Sequence, residues 1–306
     1  MKRTLRDIVI SGVKSVYYFL AEPLILSNAR IIYEKEYRQK DSPLISVYCP
    51  TYNRGGILME RAVKSVLSQT YKNFEFIIIG DCCTDDTEKL ISGSRDSRIR
   101  FYNLPKKSKG HPLNAEGRWL AGPAGAANKA LELAKGKWIA RIDDDDTWTE
   151  NHLEVLLNFA QKGNYEFVSA KYEAKRYDSK QTVDGEYAKG PYYNPRSKTS
   201  SRGYNPKIGG TSTWLYRSYL RFMKYNIDCW RKKWNRVNDV DLSLRFFKAG
   251  IRMGFLDEVL AFVYPRPGEQ TIGFEAYRQA EEKGYKVFNK QYFLKKGGHN
   301  INESSL

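Results

Sequence analysis

Short apolar runs and helical repeats alternate along the middle of this chain. LISVYCP (44–50) stops at Thr51-Tyr52-Asn53, and FEFIIIG (74–80) stops at Asp81. Apolar runs of this length, bounded by polar turns, predict buried strands. RIRFYN (98–103) and KWIARID (137–143) extend the series. Between them, Met59, Ala62, Val63, Val66 and Leu67 recur at helical spacing. Thr84 is placed to cap a helix carrying Asp85 and Asp86 in its first turn. Pro123 and Gly136 bracket an Ala- and Leu-rich helix, and Thr149 starts another. Further on, TSTWLYR (211–217) reads as a strand and NDVDLSLRFFKAG (238–250) as a capped helix ended by Gly250. IRMGFL (251–256) and EVLAFVY (258–264) read as two more strands. Strands alternating with helices predict an α/β class with a mostly parallel central sheet flanked by helices.

The ends differ from the middle. Leu5, Ile8, Val9, Val13, Val16, Tyr17 and Leu20 follow helical spacing, with Lys2, Arg3, Arg6 and Lys14 mostly elsewhere, and Pro23 ends or kinks the pattern. No run of 18 apolar residues occurs, which argues against a spanning helix. Lys14 interrupts the stretch and no small-residue cleavage site follows, which argues against a signal peptide. The helix then packs on its own domain, packs on a partner subunit in a homo-oligomer, or lies in an anionic membrane surface. The expected organisation is an N-terminal helical extension (1–40), a main domain (41–265, divided near 150), and a C-terminal helical extension (266–306). Residues 178–209, rich in Gly, Ser, Pro, Lys and Tyr without periodicity, suit a lid or binding loop.

Composition narrows the partners. The 51 Lys and Arg exceed 35 Asp and Glu, a net charge of +16, which favours anionic partners. The bases are spread along the chain without a recognition motif, so nucleic acid is not expected. Cys49, Cys82, Cys83 and Cys229 lack metal-ligand spacing and read as free thiols of a reducing, cytoplasmic compartment. A peripheral position at the inner face of a membrane is compatible with that. No internal repeat, Rossmann glycine fingerprint or P-loop is present.

The chemistry concentrates in RIDDDDTW (141–148). Four adjacent carboxylates repel one another. If the strand continues, Asp143 and Asp145 point the same way, and a divalent cation would convert their repulsion into coordination. Such an ion commonly keeps positions open for substrate phosphates, which suits a nucleoside diphosphate. The alternative is a solvated acidic turn whose members cap the following helix. In parallel sheets ligands bind beyond the carboxyl ends of the strands. Thr51-Tyr52-Asn53, Asp81 and the aspartates all fall there.

ISVYCPTYNR, FEFIIIGDCCTDDT, GPAGAANKALELAKGKWIARIDDDD and NDVDLSLRFFKAG occur in the order and spacing of the family 2 glycosyltransferases, and over about residues 44–265 the chain resembles that family. The resemblance implies the GT-A (Rossmann-like) fold and inverting transfer from a nucleotide-diphosphate sugar, with UDP as the base carrier. The acceptor would be a glycan or lipid-linked hydroxyl, with Mn or Mg as cofactor. It implies that Pro50, Thr51 and Tyr52 line the base, with Tyr52 stacking on it. Asp81 would accept a hydrogen bond from the base, while Asp143 and Asp144 lie near ribose and diphosphate. Asp145 would be the principal metal ligand, with Asp143 beside it, and Asp239 the catalytic base.

Two departures stand out. Gly80 replaces the first acid of the second motif, with Cys82-Cys83 in place of Gly-Ser, and Asn238 replaces the usual Glu before the base. Asp146 is expected to brace the turn, Asp241 to be structural, and His152 to be a surface residue. Arg118 is within reach of a diphosphate reading, and Trp230–Trp234 could bind an acceptor sugar or form a half-buried face. The rival functions are a sugar-nucleotide-forming nucleotidyltransferase, for which RGG (54–56) is a poor loop, and a non-enzymatic nucleic-acid binder.

Overall fold

The computed structural model describes residues 3–38, 41–108, 110–175, 180–183, 207–266, 269 and 271–282. Most of the 178–209 loop, and the C-terminal extension after 282, lie outside the described residues. Four strands form the parallel half of the sheet: β1 (Ile45–Thr51), β2 (Phe74–Gly80), β3 (Ile99–Asn103) and β4 (Trp138–Arg141). They lie side by side in the order β3-β2-β1-β4. The sheet continues through β8 (Leu215–Arg217), β6 (Phe167–Lys175), β9 (Met253–Val263) and β5 (Asp146–Trp148), with β7 (Lys180–Val183) paired to β6. β8 is antiparallel to both neighbours, so β6 and β9 again run with β1 and β4. One sheet therefore crosses both expected halves of the main domain. The carboxyl ends of β1, β2, β4 and β9 share one edge.

β1 and β2 are buried along their whole length, as continuous apolar runs covered on both faces must be. The helices differ from expectation in detail. α2 (Gly55–Leu58) passes through a π-helical turn, Met59–Val63, into α3 (Lys64–Leu67). α4 (Thr87–Gly93) begins later than Thr84 implied; Asp85, not Thr84, accepts from the Thr87 amide at 3.2 Å. α5 (Ala115–Ala121) is followed by α6 (Ala124–Leu133), which stops short of Gly136. α7 (His152–Lys162) starts three residues after Thr149. α8 (Asn238–Lys248) ends as expected at Gly250, whose φ of +80° suits glycine. The two expected strands 251–256 and 258–264 are one strand, β9, because a register shift against Ala170–Tyr172 lets the pairing continue. α9 (Phe274–Glu282) closes the described chain.

α1 (Leu5–Tyr33) runs through Pro23 without ending there. Together with the following turn it forms a span, Leu5–Arg38, long and apolar enough to cross a membrane by length and composition. The span passes that test on its average although Lys14 and Glu22 interrupt it, and it contains no uninterrupted run of 18 apolar residues. Yet the helix is bolted alongside the domain. Asp7 pairs with Arg231, Lys14 with Asp228 at 2.5 Å, Glu22 with Arg245 at 3.0 Å, and Arg30 with Glu166 at 2.5 Å.

The core lies on both faces of the sheet and includes Phe76, Trp138, Phe167, Trp214 and Phe246, all essentially inaccessible. Phe167 meets Trp214 edge-on at 5.3 Å and Phe246 at 5.4 Å between ring centroids. Truncating it removes one ring from these two pairs and from the stacked pair with Tyr216 at 6.3 Å, and leaves a void that close-packed neighbours cannot fill. Phe167→Ala is expected to lower unfolding stability by about 3–5 kcal/mol in urea denaturation; a loss under roughly 1 kcal/mol would show that this cluster is not the centre of the core.

Candidate active site

The four aspartates form a turn, not a strand. β4 ends at Arg141, the Asp146 amide donates back to the Asp143 carbonyl at 3.2 Å, and β5 starts at Asp146. The alternation argument for Asp143 and Asp145 therefore fails, yet the turn still points both side chains at the sheet edge, where they line the same two cavities. Asp144 and Asp146 turn into the protein and are buried.

Each carboxylate has its own partner. Arg141, fully enclosed on β4, donates through Nε and Nη2 to Asp143 Oδ1 at 3.0 and 2.8 Å, while Thr211 Oγ1 donates to Oδ2 at 3.0 Å. Arg54 Nη1 donates to Asp144 Oδ1 at 2.5 Å, and Thr51 Oγ1 to Oδ2 at 2.7 Å. Both Asp144 oxygens thus accept hydrogen bonds from side chains that line the cavity. Arg54 also reaches Asp145 Oδ2 at 3.3 Å, with Arg266 at 3.8 Å. Arg61, carried on the π-helical turn, donates to the Asp145 carbonyl at 2.9 Å. Asp146 accepts from Ser212 Oγ at 2.5 Å and braces the turn as expected. Burial pushes the Asp144 carboxyl up to about 6 against the opposing pull of Arg54, and burial with the neighbouring aspartates pushes Asp146 up as well.

The first cavity is bounded by Pro50, Thr51, Tyr52 and Asp81 on the β1 and β2 side and by Asp143–Asp145 on the other. The loops that carry them are tied together: Asn53, at φ +51°, accepts from the Thr84 amide at 2.7 Å. Asp81 accepts from the Ser108 amide at 2.7 Å. Lys107 Nζ covers one face of the Tyr52 ring at 3.6 Å, leaving a single face for stacking. Arg118 and His111 also line this cavity. Gly80 has a steric reason: a Cβ there would come within 2.7 Å of Asn103 Oδ1, whose amide group holds the turn through Cys83. At Cys82, where the resembled pattern has glycine, the backbone is nonetheless left-handed, φ +63°.

The second cavity joins Asp143 and Asp145 to Asp239, Thr211 and Tyr172. Asp239 stands in the first turn of α8 and accepts from the Val240 amide at 2.8 Å. Burial raises its pKa, outweighing the Arg141 guanidinium and the backbone amides that favour the anion. Asp241 faces away, bound to Lys232 at 2.7 Å and Arg245 at 3.2 Å. Asn238 also turns away, donating to the Leu120 carbonyl at 3.1 Å. His152 is not a surface residue: it is fully buried, stacked on Trp148 at 4.0 Å, and bonded through Nδ1 to the Leu260 carbonyl. Burial lowers its pKa to about 3, so it stays neutral. Within Trp230–Trp234, Arg231 and Lys232 are consumed by ion pairs and Trp230 is buried.

Several site residues escaped sequence reading: Arg54, Lys107, Arg141, Arg266 and Tyr277. Arg266 follows β9, so the strand-end rule could have found it had β9 been recognised as one strand parallel to β1. Tyr277, on α9, lines both cavities from the segment assigned to an extension, and nothing in its local sequence signals that.

Among the described residues no group of three or more His, Cys, Asp or Glu is set to hold a metal. Two carboxylates facing a shared cavity still fit a hard divalent cation that takes its other oxygens from phosphates and water.

A family model described as "Glycosyl transferase family 2" matches residues 46–222, more than half of the chain. The chain is 36% identical over 183 residues to the putative colanic acid biosynthesis glycosyl transferase WcaA of Escherichia coli K12, covering 58% of this chain and 59% of that protein. It is 33% identical over 133 residues to the E. coli UDP-Glc:alpha-D-GlcNAc-diphosphoundecaprenol beta-1,3-glucosyltransferase WfgD, covering 44% of this chain and 47% of that one. Among solved structures, the mannosyltransferase PcManGT from Pyrobaculum calidifontis, in complex with GDP-Man and Mn2+, has the same fold at TM-score 0.53 and 16% identity, over 94% of this chain and 75% of that one. With the strand-end motifs and the GT-A architecture agreeing, the chain belongs to glycosyl transferase family 2.

Proposed function

We propose that this protein is an inverting glycosyltransferase that moves a sugar from a nucleotide-diphosphate donor, of which UDP-sugars are the best candidates, to a glycan or lipid-linked acceptor hydroxyl. The observation that supports this reading is the shared wall: Asp143 and Asp145 border both the cavity containing Tyr52 and Asp81 and the cavity containing Asp239. A donor lying in the first cavity would bring its anomeric carbon to the carboxylates, with the acceptor entering through the second. Donors named for relatives carry UDP or GDP. Lys107, Arg118 and the partly covered Tyr52 ring offer an anionic, planar nucleotide both charge and a stacking face. Family membership argues against the nucleotidyltransferase and nucleic-acid readings. Four free thiols favour a reducing compartment.

In this mechanism the acceptor oxygen attacks the anomeric carbon as the bond to the nucleoside diphosphate breaks, inverting the configuration. Asp239 takes the proton from the attacking hydroxyl. Its raised pKa makes it a stronger base than a surface carboxylate. Arg141 and Arg54 fix the orientations of Asp143 and Asp144 and prevent the four charges from splaying the turn. Asp145 and Asp143 are the residues that would hold Mn or Mg, which when bound neutralises charge on the departing diphosphate.

Asp239→Asn is expected to lower kcat about 10²–10⁴-fold while leaving donor binding by calorimetry unchanged; transfer near the wild-type rate would remove Asp239 as base. Because the base must be unprotonated and its pKa is raised, kcat/KM should fall on the acid side at a pH above the ordinary Asp value of about 3.9. The residual activity of Asp239→Asn should lack that limb. Asp145→Ala should weaken Mn-dependent nucleotide binding while sparing metal-free binding, and equal losses in both would discard its assignment as metal ligand.

A further inference from the structure

α1 is built inside out for a soluble protein. The residues it turns toward the domain are Asp7, Ser11, Lys14, Tyr18, Glu22, Leu26 and Ala29, spaced three or four apart, and they are polar along the first five turns. Four charges of alternating sign at 7, 14, 22 and 30 meet four opposite charges on the domain. The outward side is apolar. Thirteen of the eighteen exposed large hydrophobic side chains among the described residues lie on this helix, including Phe19 at 73%, Leu24 at 73% and Ile31 at 79% exposure. Two of the remaining five, Ile227 and Phe247, belong to segments beside its ion-pair partners. A ridge of this kind, about 43 Å long at 1.5 Å per residue, marks an interaction surface.

We propose that the outward face of α1 lies in the plane of an anionic phospholipid bilayer, seating the catalytic domain on the membrane without crossing it. Crossing would strip Asp7, Lys14, Glu22 and Arg30 of their partners and carry them into hydrocarbon; lying flat keeps all four pairs and buries the apolar ridge. Charge selects lipid over a protein partner. The exposed side of α1 has no acidic residue and one base, Arg6, and just beyond its end Lys35, Glu36 and Arg38 are exposed, which leaves the balance of this edge positive. The chain as a whole carries +16. That distribution suits an anionic interface, whereas a protein interface requires polar groups to match across it. The seat also reaches the catalytic side of the molecule, since Glu22 holds Arg245, and Arg245 holds Asp241, on the helix that begins with Asp239. Delivery of a lipid-borne acceptor from this surface rests on the glycosyl-transfer reading above; the seat itself does not.

The test uses the full chain and preformed vesicles of phosphatidylcholine with phosphatidylglycerol. The wild type should co-sediment with them, more weakly with phosphatidylcholine alone, and should be displaced by high salt. A Val13→Glu, Val16→Glu, Leu20→Glu variant changes only outward positions, so its circular dichroism and its donor hydrolysis in solution should match the wild type. Its vesicle partitioning should fall at least about tenfold, the loss expected from placing three anions in the buried face. Undiminished partitioning of the variant, or no partitioning of the wild type, overturns the proposal. So does a wild-type dimer in light scattering that the variant dissolves without any vesicle binding, which would make the ridge a contact between copies. A bound fraction that resists both salt and alkaline washing overturns the in-plane seat in favour of a spanning helix. Absent donor hydrolysis in both proteins, with partitioning as expected, counts against the glycosyl-transfer reading alone.

Discussion

Three guanidinium groups hold three of four consecutive carboxylates in one turn, the Ser212 hydroxyl holds the fourth, and the site is organised around that balance. Arg141 takes Asp143, Arg54 takes Asp144 and reaches Asp145, and Arg266 approaches Asp145 from the far side. Removing adjacent carboxylates from water without partners would be prohibitive. With the arginines present, Asp144 and Asp146 can be buried while Asp143 and Asp145 border both cavities. The arginines come from β4, from the loop after β1, and from the loop after β9, so the turn also pins three parts of the sheet edge to one another. Three strands end beside one another, and their loops acquire a common purpose there.

The same principle, charges placed so that each finds its opposite, governs the N-terminal helix. There it has the reverse outcome for hydrophobicity. Because the domain offers α1 a row of alternating charges, the helix gives its polar stripe to the interior and its apolar side to the surroundings. The ordinary hydrophobic argument, apolar side in, is overridden by ion pairs whose loss would leave partly buried charges on the domain uncompensated. Glu166 is the clearest case: it is fully enclosed and satisfied by Arg30, Tyr219 and the Arg252 amide together.

Much of this was legible in the chain, for identifiable reasons. β1 and β2 are read easily because strands covered on both faces must be almost continuously apolar, and FEFIIIG is so apart from Glu75, which is bonded to Ser46 and Arg100. The polar residues that follow them fall at the ligand-binding edge by topology alone. Asp146 and Asp241 could be assigned supporting roles from position in a turn and a helix. Other readings failed where a local rule met a nonlocal partner. Thr84 looks like a cap, but its amide is taken by Asn53 and the helix waits for Thr87. His152 looks like a helix-surface residue, but Trp148 and the Leu260 carbonyl enclose it. β9 looked like two strands because Asp257 and Glu258 interrupt the apolar pattern, and only pairing with β6 carries it through.

The sequence by itself determined the α/β alternation, the family, and the edge at which the polar motifs gather, because these depend on periodicity and on residues close together in the chain. Which of the four aspartates border both cavities was decided only in three dimensions. Their neighbours in sequence are one another, whereas the cations that set their orientations lie at 54, 141 and 266. The inverted face of α1 was likewise invisible in one dimension. Helical spacing identifies two sides of a helix but not which one docks, and that was settled by charges some two hundred residues away, at 228, 231 and 245.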